Sequence, residues 1–165
     1  MTRARDIASN GGLVLISSTT IGSAVSSVVV SNAFSATYEN YKIIVSGGVM
    51  SGTSNIQMTL GSATSNYNNQ INGADFNNTP SSIGATGAAN FTRVGAGTVN
   101  FTSCNLDLFM PFLAKPTTLM GSLVTVGGGY TILAIQTDNT SYTGFTITPT
   151  SGTMTGGTIK VYGYK

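Results

Sequence analysis

Ile56-Gln57-Met58-Thr59-Leu60 sets three apolar side chains and two polar ones in strict alternation. Successive side chains of an extended strand point to opposite faces, so this spacing gathers Ile56, Met58 and Leu60 on one face and leaves Gln57 and Thr59 on the other. A helix would scatter the same residues around its circumference. Phe145-Thr146-Ile147-Thr148 repeats the pattern, and Ile159-Lys160-Val161 does so again. From Leu13 onward the period stays near two, with candidate strands at 13–18, 25–31, 41–49, 55–60, 90–94, 98–110, 118–126, 130–137, 144–148 and 158–164. The spacing predicts an all-β protein, an antiparallel β-sandwich that is jelly-roll-like and built from about eight to ten strands.

Glycine clusters punctuate these runs at Gly47-Gly48, Gly61-Ser62, Gly95-Ala96-Gly97, Gly127-Gly128-Gly129 and Gly156-Gly157, and are read as turns. A helical spacing occurs only at 32–40, where Phe34 and Tyr38 precede Tyr41, and predicts at most a short helix plugging one end of the sandwich. The stretch from Ser62 to Ala89 is polar, rich in Gly, Ala and Asn, and weakly periodic, so it is expected to be a long loop. Loops of that length commonly carry recognition, and Tyr67, Asn69, Asp75 and Phe76 are its candidate contact residues. A subunit-interface loop is the alternative reading of the same stretch.

Charged residues make up 7% of the 165 residues, against about 25% in an average domain. The polar surface is supplied instead by hydroxyls and amides. A β-rich chain with so little charge risks edge-to-edge association unless its edges are closed or covered, which points to an assembled homo-oligomer. Phe109, Phe112, Tyr162 and Tyr164 are the subunit-interface candidates: the two tyrosines alternate with Val161 and Gly163, and the two phenylalanines flank Met110-Pro111. Phe34, Tyr38, Tyr41, Phe91, Phe101, Phe109, Phe112 and Phe145 are expected to furnish the core.

The chain contains no histidine, which removes Ser-His-Asp and Cys-His catalysis and His-based metal sites. Beyond the first dozen residues the acidic set is Glu39, Asp75, Asp107 and Asp138, and no pattern brings two of them together as the carboxylate pair of a glycoside hydrolase. No enzymatic activity, cofactor or metal is expected. Cys104 is the sole cysteine and is read as a small core residue. The net charge of +2 is scattered, without the basic patch that nucleic-acid binding needs. Leu13-Val14-Leu15-Ile16 falls short of the roughly 7–15 apolar residues of a signal peptide. No run approaches the roughly 18 residues of a membrane span. Synthesis in the cytoplasm without a signal peptide, and no membrane partner, are the expectations.

Three of the twelve charges, Arg3, Arg5 and Asp6, lie in the first dozen residues, which end in Asn10-Gly11-Gly12. This divides the chain into an amino-terminal arm at 1–12 and a single sandwich domain at 13–165. The arm sequence Arg3-Ala4-Arg5-Asp6-Ile7-Ala8, together with Leu15-Ile16-Ser17-Ser18, the stretch around Tyr38-Glu39-Asn40-Tyr41-Lys42-Ile43 and the closing Gly157-Thr158-Ile159-Lys160-Val161-Tyr162-Gly163, resembles small β-sandwich virion structural proteins of tailed bacteriophages of marine bacteria and cyanobacteria. The resemblance implies a capsid-decorating (cement) or short fibre protein on the virion surface, commonly a homotrimer, with other capsid or tail proteins as partners. Arg3, Arg5, Asp6 and Ile7 would then anchor it to the particle. A tail-fibre or receptor-binding module that recognises a host-surface glycan or protein through the Ser62 to Ala89 stretch is the alternative.

Overall fold

A computed structural model describes residues 12–165, so the anchoring candidates Arg3, Arg5, Asp6 and Ile7 lie outside the described residues. The described chain is all strand and turn: β1 (Leu13–Thr20), β2 (Val28–Val30), β3 (Asn40–Ser46), β4 (Val49–Met50), β5 (Ser54–Leu60), β6 (Tyr67–Asp75), β7 (Pro80–Ala88), β8 (Phe91–Thr98), β9 (Phe101–Phe109), β10 (Thr117–Val124), β11 (Gly128–Gln136), β12 (Phe145–Pro149), β13 (Met154–Thr155) and β14 (Thr158–Tyr164). Every pairing is antiparallel. Eight of the strands form two four-stranded layers in the orders β1-β14-β3-β9 and β2-β12-β5-β8. In each layer early strands alternate with late ones, as when one long hairpin is rolled up, and this is the jelly-roll arrangement.

Two hairpins enlarge the first layer. β6–β7 is inserted between β5 and β8, β10–β11 follows β9, and together they extend the layer to β1-β14-β3-β9-β10-β11-β6-β7. The small ribbon β4–β13 completes the fourteen strands, more than the alternation alone predicts because two-residue strands and polar hairpins carry little periodic signal.

The two layers meet along β9. Its residues Asn105 to Phe109 pair with β10, while Phe101 to Cys104 pair with β8, so β9 exchanges one neighbour for another between Cys104 and Asn105. β8 can approach there because it is glycine-bearing. A Cβ on Gly95 would stand 2.6 Å from the Ser103 carbonyl oxygen and 2.8 Å from the Cys104 Cβ, and one on Gly97 would stand 2.7 Å from the Phe101 carbonyl oxygen. Gly95-Ala96-Gly97 is therefore buried strand rather than the turn expected from its composition. Glycine serves close backbone approach as well as turns, and sequence does not separate the two uses.

Between the layers lie Tyr41, Ile43 and Val45 of β3, Leu106 and Leu108 of β9, Ile56, Met58 and Leu60 of β5, Phe145 and Ile147 of β12, and Ile159 and Val161 of β14, all buried. Phe91 meets Tyr67 edge-on, ring centroids 4.8 Å apart, which ties β6 onto β8. Of the aromatic residues expected in the core, Phe34, Tyr41, Phe91 and Phe145 are buried, whereas Tyr38, Phe101, Phe109 and Phe112 are only half-buried. Cys104 is buried, and burial pushes its thiol up to about 12, which keeps it protonated and unreactive.

The segment 32–40 forms turns instead of a short helix, yet it still plugs the end of the sandwich. Phe34 stacks on Phe145 at 5.7 Å and meets Tyr41 edge-on at 4.8 Å. The Tyr41 hydroxyl accepts from the Ser35 N–H and donates to the Ser35 carbonyl, both at 2.8 Å. Those are the backbone groups a helix would have used.

The stretch from Ser62 to Ala89, expected to be a loop, is mainly the β6–β7 hairpin. Two properties hid it. The buried row of β6 includes an amide, Asn69, and β7 is an edge strand of small residues with no buried side chain. Asn69 is satisfied inside the protein, its side-chain N–H donating to the Asn90 carbonyl at 3.1 Å and its oxygen accepting from the Thr92 N–H at 2.9 Å.

If close approach at β9 sets the geometry, Gly95→Ala lowers stability by about 1–3 kcal/mol, the usual cost of forcing an extra group into a packed interior. Gly129→Ala, where a Cβ would meet nothing within 4 Å, stays within about 0.5 kcal/mol of the parent. Urea unfolding midpoints of the two variants decide the point, and equal losses would count against the crossing as the constraint.

Candidate assembly surface

The enlarged layer has one face in the core and one facing out. Cross-strand register runs a row of outward positions along it: Leu15, Tyr162, Lys42, Asp107, Met120, Leu133, Gln70 and Gly84, one from each of the eight strands. The adjacent outward positions hold Leu13 opposite Tyr164, Phe109 opposite both Asn40 and Thr118, and Ile135 opposite Thr118 and Asn68. Leu13, Leu15, Met120, Leu133 and Tyr164 are exposed large hydrophobics. The face is thus apolar at several points along a band, with one ion pair at its middle.

That ion pair joins Lys42 Nζ to Asp107 Oδ1 at 3.2 Å. The Tyr164 hydroxyl donates to the same carboxylate oxygen. Partial burial, and then the Asp107 carboxylate, push the Tyr164 phenol up to about 12, so the ring stays a neutral donor. Asp107 therefore holds one residue from β3 and one from β14 across the face of β9, fixing side chains that would otherwise move freely.

Three of the four interface candidates, Phe109, Tyr162 and Tyr164, share this face. Phe112 does not; it lies in the turn after β9, half-buried against the core. Sequence reasoning missed Leu13, Leu15, Met120 and Leu133. Their positions opposite Tyr164, Tyr162, Asp107 and Gln70 follow from register, which one chain's sequence does not supply. Beside β7 the face opens into a shallow groove of about 400 Å³ lined by Gln70, Ala85, Thr86, Leu133 and Ile135.

The recognition candidates separate. Tyr67 is fully buried, its hydroxyl accepting from the Leu60 N–H at 2.8 Å and donating to the Ala63 carbonyl at 3.3 Å. Asn69, also on β6, is buried against β8, so neither residue reaches a partner. Tyr67, Asn69 and Ile71 follow one another at a spacing of two, and that is the signal that places them inside. Asp75 and Phe76 sit at the hairpin tip. Asp75 Oδ1 accepts the Asn77 N–H at 2.9 Å and the Thr79 N–H at 2.8 Å, and Asn78 takes the left-handed conformation, φ 64°, that closes the turn. The Phe76 N–H donates to the Gly127 carbonyl at 3.1 Å, lashing this tip to the β10–β11 turn. Phe76 is left 69% exposed, in company with Val124 and Val126 on the neighbouring turn.

Among the described residues no three His, Cys, Asp or Glu side chains stand close enough to hold a metal ion. Among the same residues no helix is long and apolar enough to cross a membrane. Comparison with protein-family models, curated proteins and solved structures finds no match to this chain.

The Thr79 N–H, and then that of Asn77, hold the Asp75 carboxyl below its usual 3.8. A depressed carboxylate stabilises the folded turn above its ordinary value and loses that contribution as pH falls through the lowered one. Amide exchange at Asn77 and Thr79 is therefore expected to speed up below about pH 4, beyond the intrinsic change, while exchange in β3 and β5 does not. Asp75→Ala should produce the faster exchange already at pH 7. Unchanged protection in that variant would remove Asp75 as the organiser of the tip.

Proposed function

We propose that this chain is an accessory bacteriophage virion protein, a capsid-decorating or short fibre subunit that acts as a homo-oligomer and is held to the particle through its amino-terminal segment. Its role in this reading is structural. The outer face of the enlarged layer carries the reading: Leu13, Leu15 and Tyr164 at one side of the Lys42–Asp107 pair and Met120 and Leu133 at the other are large apolar side chains left exposed on one face, as on faces that copies cover. The low charge supports it as well, since a neutral hydroxyl surface costs less to desolvate than a charged one and can pair its hydroxyls with those of a like surface. The particle itself is argued from the resemblance of the Arg3 to Ala8 segment and the blocks that accompany it. A trimer comes from the same resemblance.

Removing residues 1–11 leaves every described strand and the hydrogen bond from the Lys165 N–H to the Gly12 carbonyl in place. The truncated protein is expected to fold with an unchanged circular dichroism spectrum and to lose co-sedimentation with particles. Co-sedimentation at the parental level would end the anchoring role of Arg3, Arg5, Asp6 and Ile7.

Phe76 favours a second reading, in which the distal tip touches a host-surface glycan or protein. An aromatic ring held on a fixed turn gives up little conformational freedom on binding, and such residues dominate contact energies. Phe76→Ser is expected to weaken adsorption of the protein to host cells at least tenfold under this reading, and to leave particle attachment intact. Adsorption unaffected by the change would leave the tip without a recognition role.

A further inference from the structure

Neither edge strand of the eight-stranded layer has a buried residue. β1 begins Leu13-Val14-Leu15-Ile16, four apolar residues in succession, which alternation sends to both faces. Such runs belong to strands covered on both sides, yet Leu13 is 44% and Leu15 52% exposed. Edge strands in isolated proteins are usually shortened or guarded by charge, above all lysine. β2, at the edge of the second layer, has only three residues. β1 and β7 have eight and nine residues and no charged side chain.

We infer that β1 of one copy pairs antiparallel with β7 of the next, so that the enlarged layer runs on from subunit to subunit and closes into a ring. Strand direction favours this order. Seven antiparallel pairings separate β1 from β7, so the two edges run in opposite directions. A rotation about an axis along the strands preserves those directions and brings the next copy's β1 antiparallel to β7. A two-fold pairing of β7 with itself would leave the apolar β1 uncovered.

Antiparallel pairing sets Leu13 near the neighbour's Ala88, whose row continues through Tyr67 to Gln136. On the outer face, Leu13 and Leu15 arrive beside the groove lined by Thr86 and Leu133. The inference rests on the reading that copies of the chain assemble, and is independent of the particle they occupy.

Paired cysteines in the full-length protein test it. Leu15→Cys with Thr86→Cys, and Ser18→Cys with Gly84→Cys, place thiols opposite one another on the outer face of the two edges, the bulge of β1 between Leu15 and Ser17 included; two pairs are used so that one variant that fails to fold leaves the other informative. Cys104 is buried and does not compete. Under mild oxidation each double variant is expected to give, on a non-reducing gel, a ladder that ends in a closed ring, three subunits in the trimer reading, and that collapses to monomer on reduction. Leu15→Cys mixed with Thr86→Cys should stop at cross-linked dimers, and either alone should stay uncross-linked. Cross-linking of Thr86→Cys alone would replace the ring with a two-fold contact and overturn the inference. If light scattering finds the parent assembled while neither pair cross-links, assembly stands and this pairing falls. A parent that stays monomeric well above micromolar concentration overturns both.

Discussion

Everything else in the molecule is arranged around one strand serving two layers. β9 holds β3 on one side from Cys104 to Phe109, and on the other side it holds β8 for its first half and β10 for its second. Hydrogen bonding leaves room for one neighbour per side at any residue, so the exchange at Cys104 and Asn105 forces β8 and β10 apart. The gap between the diverging strands is where the core lies, filled by Leu106, Phe91 and Val94. Glycines at 95 and 97 let the first neighbour come close enough to leave again. Once that divergence is set, the inserted hairpins have a single place to go. They continue the layer beyond β10 and fold back over β8, where Tyr67 and Asn69 are fastened.

Large apolar residues at a spacing of two were legible. β5, β12 and β14 are nearly as alternation draws them, because their buried rows are Ile56, Met58 and Leu60, then Phe145 and Ile147, then Ile159 and Val161. Legibility failed wherever a residue did a job that its type does not advertise. Asn69 is buried because it completes the hydrogen bonding of β8, so its polarity broke the pattern that would have revealed β6. Gly95 and Gly97 permit contact rather than a turn. Tyr41 takes the backbone groups of Ser35 with its hydroxyl, so the aromatic spacing at 34–41 served a plug and not a helix. On the outer face, Tyr162 and Tyr164 could be read from their alternation with Val161 and Gly163, but the residues that make them part of a band come from the seven other strands of the layer.

The division of polar labour follows. Side chains with hydroxyls and amides satisfy the surface and the turns, while three carboxylates hold fixed positions: Asp75 at the hairpin tip, Asp107 between Lys42 and Tyr164, and Asp138 against Asn66 and Gln136. Exposed ion pairs contribute little to stability, so these carboxylates matter more for the shapes they hold than for the energy they add.

Gly12 and Lys165 stand side by side, joined by a backbone hydrogen bond, and Phe76 lies at the other pole. This gives the domain a mechanical direction. A pull between the two ends of the described chain would open β1 from β14 like a zipper, one hydrogen bond after another. A pull between Gly12 and the distal tip loads the long antiparallel ladders in shear, where many bonds must give way together. A subunit tethered near Gly12 and tugged at its tip would thus be loaded along its strong axis, with resistance set by the rate of unfolding rather than by equilibrium stability.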